Sequence, residues 1–423
     1  MASTNPARGM RDFLPADVRK RNYVIGIIKQ VCESYGFEPL ETPSVENLET
    51  LMGKYGDEGN QLVFKILKRG EKLDLANATT ESDLSDLALR YDLTVPLARV
   101  VANNKNDLPK FFKRYQIQPV WRADRPARGR FREFYQCDVD CIGSESLVVE
   151  AEIISAASHI LSKLGFKDFE VRINHRGLLG KMVADAGIEN ETDALVALDK
   201  LDKIGAEGVT KELVERGISE ASADNFLAAV NGNTSNDDLD AVLAMCSELR
   251  VKIDPSLARG LSYYTGTIME IVLTDGDFKG SIGGGGRYDG LIGMFGKEQI
   301  PACGFSLGLE RILVVMEERG MFPPEIAEST PADVMVTIWS EETIADSLKL
   351  ANELRSQGLR VTLYPEPDKL GKQFKYADQI KVPFVCILGE SELAENKVTV
   401  KNLKTGEQTL CPTSEISAII LGG

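Results

Sequence analysis

Histidine is nearly absent from this chain, whose 423 residues contain only His159 and His175. Catalysis by a Ser–His or Cys–His pair needs an imidazole beside the nucleophile, so such chemistry is not expected here. The 7 cysteines are scattered and odd in number, and they lack the second Cys pair or His cluster that a zinc site requires. The sequence therefore predicts reduced thiols in apolar surroundings, as in proteins outside oxidising compartments.

Long apolar runs are also absent. No stretch reaches the roughly 20 apolar residues of a membrane span, and MASTNPARGMRDFLP at the N-terminus has no apolar segment typical of a secretory signal. We therefore expect no membrane partner and, by default, a cytoplasmic location. The net charge of −15 argues against indiscriminate binding of nucleic acid, because long-range attraction to phosphates would be weak. It does not exclude binding through local basic patches.

A run of glycines stands in place of the common nucleotide-binding loops. Gly283–Gly286 lie between Ile282 and Arg287, in a pattern that fits neither GxGxxG nor GxxxxGK[ST]. Glycine within a strand leaves room for a ligand or another backbone to approach closely. The run therefore predicts a strand on which a flat ligand lies.

An arginine-rich hairpin is predicted over residues 112–140. Alternating apolar and polar residues predict strands over 113–122 and 131–139, and the proline, glycine and charged residues of 124–130 predict a loop. Guanidinium groups bind phosphate oxygens two at a time and stay charged when buried, while aromatic rings can stack on a base. Taken alone, the stretch fits a solvated basic tip equally well. The side chains concerned are Trp121, Arg122, Arg125, Arg128, Arg130, Arg132 and Phe134.

A polar pair ends the strand predicted over residues 87–93. Asp92 and Thr94 would share one face of an extended chain. A carboxylate and a hydroxyl can together hold an ammonium group. Either residue could instead cap the helix that is predicted to begin at Pro96, and the stretch alone leaves both interpretations open.

The chain divides into three regions by its periodicity. Residues 177–250 show helical patterns without strand signals, which predicts a helical insertion between two strand-rich parts. The proline-rich stretch 320–333 predicts a domain boundary. Strands and helices alternate beyond it, so a small α/β domain with a mixed sheet is predicted over 333–423. The first domain, which contains the insertion, is predicted over 1–328.

Five stretches together resemble one family, the histidyl-tRNA synthetases among the class II aminoacyl-tRNA synthetases. GFEPLETP (36–43), VWRADRPARGRFREFYQCDVD (120–140) and GFSLGLER (304–311) are similar to the three motifs of class II. LRYDLT (89–94) and RGLSYYTG (259–266) are similar to stretches typical of the histidine-specific members. The resemblance covers nearly the whole chain.

The resemblance implies an α+β fold, with an antiparallel sheet core flanked by helices, the helical insertion and a C-terminal α/β domain that reads an anticodon. It implies a ligase that activates L-histidine with ATP and Mg²⁺ to histidyl-adenylate and transfers the histidyl group to the 3′ end of tRNA(His). It also implies a homodimer. The alternative is a non-catalytic relative that binds histidine or uncharged tRNA as a regulator.

The same resemblance implies roles for particular side chains. Those implied for histidine binding are Asp92, Thr94, Gln136, Asp140, Arg259, Tyr263 and Tyr264. Those implied for ATP binding are Arg122, Arg130, Phe134 and Arg311. Arg259 and Arg122 would be catalytic, because they would face the substrate carboxylate and the α-phosphate. No residue is implied to hold a metal.

The implied chemistry suits a chain that is poor in histidine. The substrate's own carboxylate attacks the α-phosphorus, so the protein need only align two anions and offset their repulsion. Two positions depart from the family's common pattern: Ser262 replaces an Asp, which leaves the orientation of Arg259 open, and Asp140 is one methylene shorter than the Glu of many members.

Overall fold

The structure is a computed structural model that describes residues 3–232, 235–258, 263–276, 278, 280–296, 298–328 and 330–422. The chain divides into two compact units, the first ending at Phe322 and the second beginning at Pro323. This division lies inside the proline-rich stretch 320–333, where the composition predicts a boundary.

The first unit contains a large sheet, a small sheet and their helices. Its strands are β1 (Glu38–Pro39), β2 (Val45–Asn47), β3 (Lys65–Leu67), β4 (Ser85–Leu89), β5 (Phe112–Trp121), β6 (Glu133–Ile142), β7 (Phe169–His175), β8 (Val251–Ile253), β9 (Thr267–Leu273), β10 (Ser281–Arg287) and β11 (Ala302–Gly308). Its helices are α1 (Pro15–Ser34), α2 (Leu48–Leu51), α3 (Gly56–Gln61), α4 (Glu81–Leu84), α5 (Thr94–Asn104), α6 (Val148–Lys163), α7 (Arg176–Asp185), α8 (Glu191–Leu198), α9 (Leu201–Glu215), α10 (Glu220–Val230), α11 (Asp237–Met245) and α12 (Leu309–Glu318). Short 3₁₀ turns lie at Gly70–Lys72 and Ile292–Met294.

The large sheet has eight strands within the described residues, in the order β1-β5-β6-β11-β10-β9-β7-β8. Neighbouring strands from β5 to β7 run antiparallel, whereas β1 and β8 at the two edges run parallel to their partners. Pro39 lies in edge strand β1, where its missing N–H costs no ladder hydrogen bond. The predicted antiparallel core is confirmed.

Helices α1, α6 and α12 pack against the large sheet. The apolar stripe of α6 is buried, with Ile153 and Leu161 fully enclosed. Helix α1 begins at Pro15, because the fixed φ of proline suits the first helical turn. These helices supply much of the apolar core on which the sheet rests.

The helical insertion lies between β7 and β8. The described residues from Arg176 to Met245 form helices α7 to α11 without a strand, as the periodicity predicts. Leu195, Val209 and Phe226 are enclosed between these helices. The chain bends within α9 at Gly205, whose φ of 71° suits glycine best.

The second unit is a small α/β fold. Its strands are β12 (Val334–Val336), β13 (Val361–Leu363), β14 (Phe384–Ile387), β15 (Val398–Asn402) and β16 (Gln408–Cys411), and its helices are α13 (Pro324–Ala327), α14 (Ile344–Ser356), α15 (Leu370–Gln379), α16 (Glu390–Glu395) and α17 (Thr413–Gly422). The sheet order is β13-β12-β14-β15-β16. Strand β12 is parallel to both neighbours, and the last two strand pairs are antiparallel. The predicted mixed sheet is confirmed.

The cysteines and the helix lengths agree with the composition. All seven cysteines are buried free thiols, as their apolar surroundings predict. Among the described residues, no helix combines the length and the apolar character that crossing a membrane requires.

A buried ion pair joins α6 to the end of β10. Arg287 donates to both oxygens of Glu150, from Nε at 2.6 Å and from Nη2 at 2.7 Å. The two residues are 7% and 0% exposed, respectively. Because each charge is enclosed, each depends on the other for compensation.

We expect Arg287→Met to lower the free energy of unfolding by about 3–5 kcal/mol, because it leaves the Glu150 carboxylate buried without its partner. Urea unfolding of the full chain measures the change. Lys105→Met is the control, since the Lys105–Glu298 pair is exposed and should contribute about 0–1 kcal/mol. Equal losses in both variants would contradict the prediction.

Candidate active site

Strands β5, β6 and β11 pair without a bulge and place three rows of residues side by side. Alternate residues of a strand point to one face, so the polar residues of β6 meet the same face of both neighbouring strands. The rows are Arg114–Asp140–Gly304, Gln116–Asp138–Ser306 and Gln118–Gln136–Gly308. Gln136 and Asp140, which the resemblance implies for histidine binding, therefore share one face.

Asp140 lies in an almost closed environment, with 2% of its surface exposed. Its Oδ2 is 2.8 Å from Nη2 of Arg114, and its Oδ1 accepts a hydrogen bond from the Tyr288 hydroxyl. Burial raises the pKa of Asp140, while the charge of Arg114 and the bond from Tyr288 oppose that rise. Both oxygens of the carboxylate are thus held in a fixed orientation.

Gly304 makes room for Asp140. A Cβ at this position would lie 1.9 Å from Oδ1 of Asp140, closer than any two non-bonded atoms can approach. Gly286, on the next strand, has the same function for Tyr264, whose Cδ1 would lie 3.0 Å from an added Cβ. These two glycines therefore leave room for neighbouring side chains, while the flat ligand that the glycine run predicts stays a prediction.

Asp138 and Gln136 supply further acceptors on β6. Asp138 is 3% exposed, and its pKa is raised to about 7 by burial and by the neighbouring Asp140, against the lowering effect of Arg114. Gln136 donates from Nε2 to Oγ of Ser306 at 3.0 Å. Among the described residues, no donor reaches Gln136 Oε1 or Asp138 Oδ1.

Asp92 lies just before helix α5. Its Oδ1 accepts from the Tyr55 hydroxyl at 2.9 Å and from the Val95 N–H at 3.1 Å, and its Oδ2 accepts from the Tyr263 hydroxyl at 3.3 Å. Burial raises the pKa of the Asp92 carboxyl. Thr94 also forms a hydrogen bond with Tyr263. Asp92 and Thr94 therefore both contact the Tyr263 side chain.

The local structure around Asp92 differs from the predicted one. Strand β4 ends at Leu89, and helix α5 begins at Thr94 rather than at Pro96. The strand and helix bounds predicted here are wrong, because Asp92 caps the helix through the Val95 N–H and so moves its first turn forward. The capping interpretation therefore holds, and it leaves the Asp92 carboxylate within the site.

Arg122 lies between two aromatic rings at the base of the hairpin. Its guanidinium carbon is 4.2 Å from the centre of the Tyr91 ring and 5.3 Å from that of Phe134. Its Nε donates to the Tyr91 carbonyl at 3.0 Å. Phe134 remains partly exposed on β6, so an arginine and an aromatic ring lie side by side. Their roles at a phosphate and a base stay predictions.

The hairpin loop folds back towards helix α12. Gly129 has a φ of 68°, and a Cβ there would lie 3.3 Å from Cγ of Arg311. The exposed Arg130 follows Gly129 directly, so two of the three arginines implied for ATP, Arg130 and Arg311, lie in one neighbourhood. Arg128 instead pairs with Glu318, from Nε to Oε1 at 3.0 Å. Arg311 donates to the Ser281 carbonyl at 2.6 Å.

Two sequence positions lie outside the described residues. These are Arg259, implied for catalysis and histidine binding, and Ser262, the departure from the common pattern. Their roles stay predictions. Tyr263 and Tyr264 are described, and their rings pack edge to face with centroids 5.1 Å apart.

Sequence reasoning missed several side chains that build the site. Arg114 offered a signal, as a charge in a strand that is otherwise rich in apolar and aromatic residues, whereas Tyr55 offered none. Glu310, at the start of helix α12, accepts the Tyr135 N–H at 3.1 Å through both oxygens. Its pKa is raised to about 7 by burial. This bond ties helix α12 to strand β6.

Comparison with known proteins identifies the family of this site. A family model described as histidyl-tRNA synthetase matches residues 9–312. The chain belongs to the histidyl-tRNA synthetase family. A second model, described as an anticodon binding domain, matches residues 333–422, which is the described part of the predicted C-terminal domain.

Individual relatives agree with this assignment to the histidyl-tRNA synthetase family. A histidine–tRNA ligase of Christiangramia forsetii is 43% identical, over 95% of this chain and 96% of its own length. One of Porphyromonas gingivalis is 42% identical, over 97% and 98%. The crystal structure of histidyl-tRNA synthetase from Nostoc sp. PCC 7120 has a TM-score of 0.78 at 32% identity and covers both chains completely.

We expect Gly304→Ala to raise the KM for histidine by roughly tenfold or more, because the new methyl displaces Asp140 and one hydrogen bond to a charged group is worth about that factor. Histidine-dependent ATP–pyrophosphate exchange measures it. Gly290→Ala is the matched control, since no atom lies within 4 Å of a Cβ there. An unchanged KM in Gly304→Ala would remove Asp140 from histidine binding.

Proposed function

We propose that this chain activates L-histidine with ATP and transfers the histidyl group to the 3′ end of tRNA(His). The observation that supports it best is a set of three buried acceptors next to a cation between two rings, Arg122. Gln136 and Asp140 lie on strand β6, and Asp92 lies just before helix α5. Arg122 and Asp92 lie close enough for each charge to shift the pKa of the other. An amino acid bound at the acceptors and a nucleotide phosphate bound at Arg122 would therefore lie next to each other.

The acceptors suit the two basic groups of histidine. An ammonium group has three donors and no acceptor, which fits Asp92, Thr94 and Oε1 of Gln136, an oxygen that no donor among the described residues reaches. An imidazole N–H can donate to Asp140, and Tyr264 can serve the other ring nitrogen because a phenol both donates and accepts. A site built to hydrogen-bond a substrate strongly rejects substrates that lack the partner group, so these contacts would select histidine.

The reaction needs positioning more than a protein nucleophile. A carboxylate oxygen of histidine forms a bond to the α-phosphorus of ATP as the bond to the departing pyrophosphate breaks. Arg122 would bind the α-phosphate and offset the developing negative charge, with Phe134 against adenine. Arg130 and Arg311 would hold the remaining phosphates. Arg259 keeps its predicted role at the substrate carboxylate.

Magnesium would enter with ATP. Mg²⁺ is typically held by substrate phosphates together with one or two carboxylates. Among the described residues, no group of three or more His, Cys, Asp or Glu side chains could hold a metal ion. The phosphates of ATP would therefore be the main ligands of Mg²⁺.

Two parts of the chain would bind macromolecular partners: the second unit and the stretch GFEPLETP (36–43). The second unit would bind the anticodon of tRNA(His), as its family match suggests. The stretch GFEPLETP would contribute to a homodimer interface. Its strand β1 lies at the sheet edge with both residues exposed, which leaves one side open for a partner. We place the enzyme in the cytoplasm.

A non-catalytic regulator is the alternative that the sequence left open. It is not favoured, because the curated relatives that match nearly the whole chain carry the name histidine–tRNA ligase. The arginines Arg122 and Arg311 are also present, whereas a regulator that only binds histidine or uncharged tRNA needs no site for the phosphates of ATP.

We expect Arg122→Lys to lower kcat for histidine-dependent ATP–pyrophosphate exchange by roughly 100-fold, because lysine keeps the charge but loses the planar fork on the phosphate. The KM for histidine should change little. Arg355→Lys, on α14 of the second unit, is the control. The proposed activity is refuted if purified wild-type protein shows no exchange above background.

Removal of residues 333–423 should affect the activation of histidine and its transfer to tRNA to different extents. We expect exchange to keep most of its rate, since the site lies in the first unit. Charging of tRNA(His) should lose about 100-fold or more in kcat/KM, equivalent to about 3 kcal/mol of tRNA binding. Parallel exchange and aminoacylation assays measure both, and an equal loss in the two assays would argue against the anticodon role.

A further inference from the structure

Asp138 has no role in the scheme above, although it lies in the middle of the site. It stands between Gln136 and Asp140 on the same face of β6 and pairs directly with Ser306 on β11. It is 3% exposed, and no donor among the described residues reaches its Oδ1. A buried carboxylate that is incompletely paired needs an explanation.

The Ser306 hydroxyl connects Asp138 to Gln136. Ser306 stands directly opposite Asp138 in the pairing of β6 with β11, where its hydroxyl lowers the pKa of the Asp138 carboxyl. Its Oγ lies 3.0 Å from Nε2 of Gln136. A hydroxyl has one proton to donate. Above its pKa of about 7 the Asp138 carboxylate is ionised and can only accept, so at pH 8 Ser306 gives that proton to Asp138 and accepts a hydrogen bond from Gln136.

This direction of donation decides how the Gln136 amide is turned. The nitrogen and oxygen of an amide have nearly the same shape, so only hydrogen-bond partners distinguish its two orientations. With Nε2 committed to Ser306, Oε1 is left buried without a donor among the described residues. An acceptor so placed awaits a ligand that donates, as an ammonium group does.

We infer that Asp138 is a positioning residue for substrate recognition: acting through Ser306, it holds the Gln136 amide with its oxygen towards the substrate amine. The inference rests on the proposed function for the identity of that amine. It differs from a direct contact, because Asp138 touches the ligand only through Ser306 and Gln136.

We call the connection from Asp138 through Ser306 to Gln136 the relay. Asp138→Asn tests it with almost no change in the shape of the side chain. The asparagine amide can donate to Ser306, which then donates to Gln136 and turns its NH₂ towards the substrate amine. We expect affinity for histidinol, which has the amine but no carboxylate, to fall by roughly tenfold. Affinity for 3-(imidazol-4-yl)propionate, which has no amine, should stay within about twofold. Titration calorimetry on the full-length protein measures both.

A second substitution distinguishes the relay from general damage. In the double variant Asp138→Asn with Ser306→Ala, nothing forces the Gln136 amide to turn, so histidinol affinity should recover in part. Asp254→Asn is the control, as a partly buried carboxylate that pairs with Arg172 at 3.3 Å on an edge of the same sheet. It should leave both ligands unaffected.

Three results would overturn the inference: an unchanged affinity for histidinol in Asp138→Asn, an equal loss for both ligands, or no recovery in the double variant. Should Asp138→Asn fail to fold, Ser306→Ala alone replaces it, with a smaller loss expected for histidinol only. Wild-type exchange activity separately tests the proposed function. If the wild-type protein shows no exchange but Asp138→Asn still loses affinity for histidinol alone, the proposed function is rejected and the inference about Asp138 stands. If exchange is present but the loss for histidinol alone is absent, the inference about Asp138 is rejected.

Discussion

The ion pair between Arg114 and Asp140 is the interaction on which the rest of the site depends. Both residues are almost fully enclosed, and an isolated buried carboxylate would take up a proton rather than stay charged. Arg114 stabilises the charged form at 2.8 Å, and the Tyr288 hydroxyl occupies the other oxygen. A charge maintained in this way can recognise an N–H group strongly, because little water is present to weaken the interaction.

The antiparallel sheet makes this concentration of buried charge feasible. Unbroken pairing of β5, β6 and β11 fixes Arg114, Asp140 and Gly304 in one row, and the glycine supplies the space that the carboxylate needs. Helix α12 is tied to β6 through Glu310 and the Tyr135 N–H, which places Arg311 near the tip of the hairpin. The site is therefore formed mainly on rigid elements, as a reaction that relies on alignment requires.

Much of this arrangement was predictable from local patterns. Alternation over 113–122 and 131–139 predicted β5 and β6 within one to three residues of their bounds, because each strand contacts its neighbours on a regular period. The same approach extended β4 through Asp92, since residues 87–93 look extended when only propensity is considered. The side chain of Asp92 instead caps α5 through the Val95 N–H, an interaction that periodicity does not reveal. The resemblance supplied roles for Gln136 and Asp140 but none for Arg114, Tyr288 or Asp138.

The sequence by itself determined the chemistry available to this protein: almost no histidine, an arginine-rich hairpin, a glycine run and acidic positions on one strand. Those features follow from residue type and spacing along the chain, so they can be seen without coordinates. Only the tertiary structure decided which charges meet. Tyr55 reaches Asp92, Arg114 reaches Asp140 and Tyr288 closes on the same carboxylate, although 37, 26 and 148 positions separate the members of these pairs. Such contacts depend on strand order and register, which pairing between distant segments sets and local sequence does not encode.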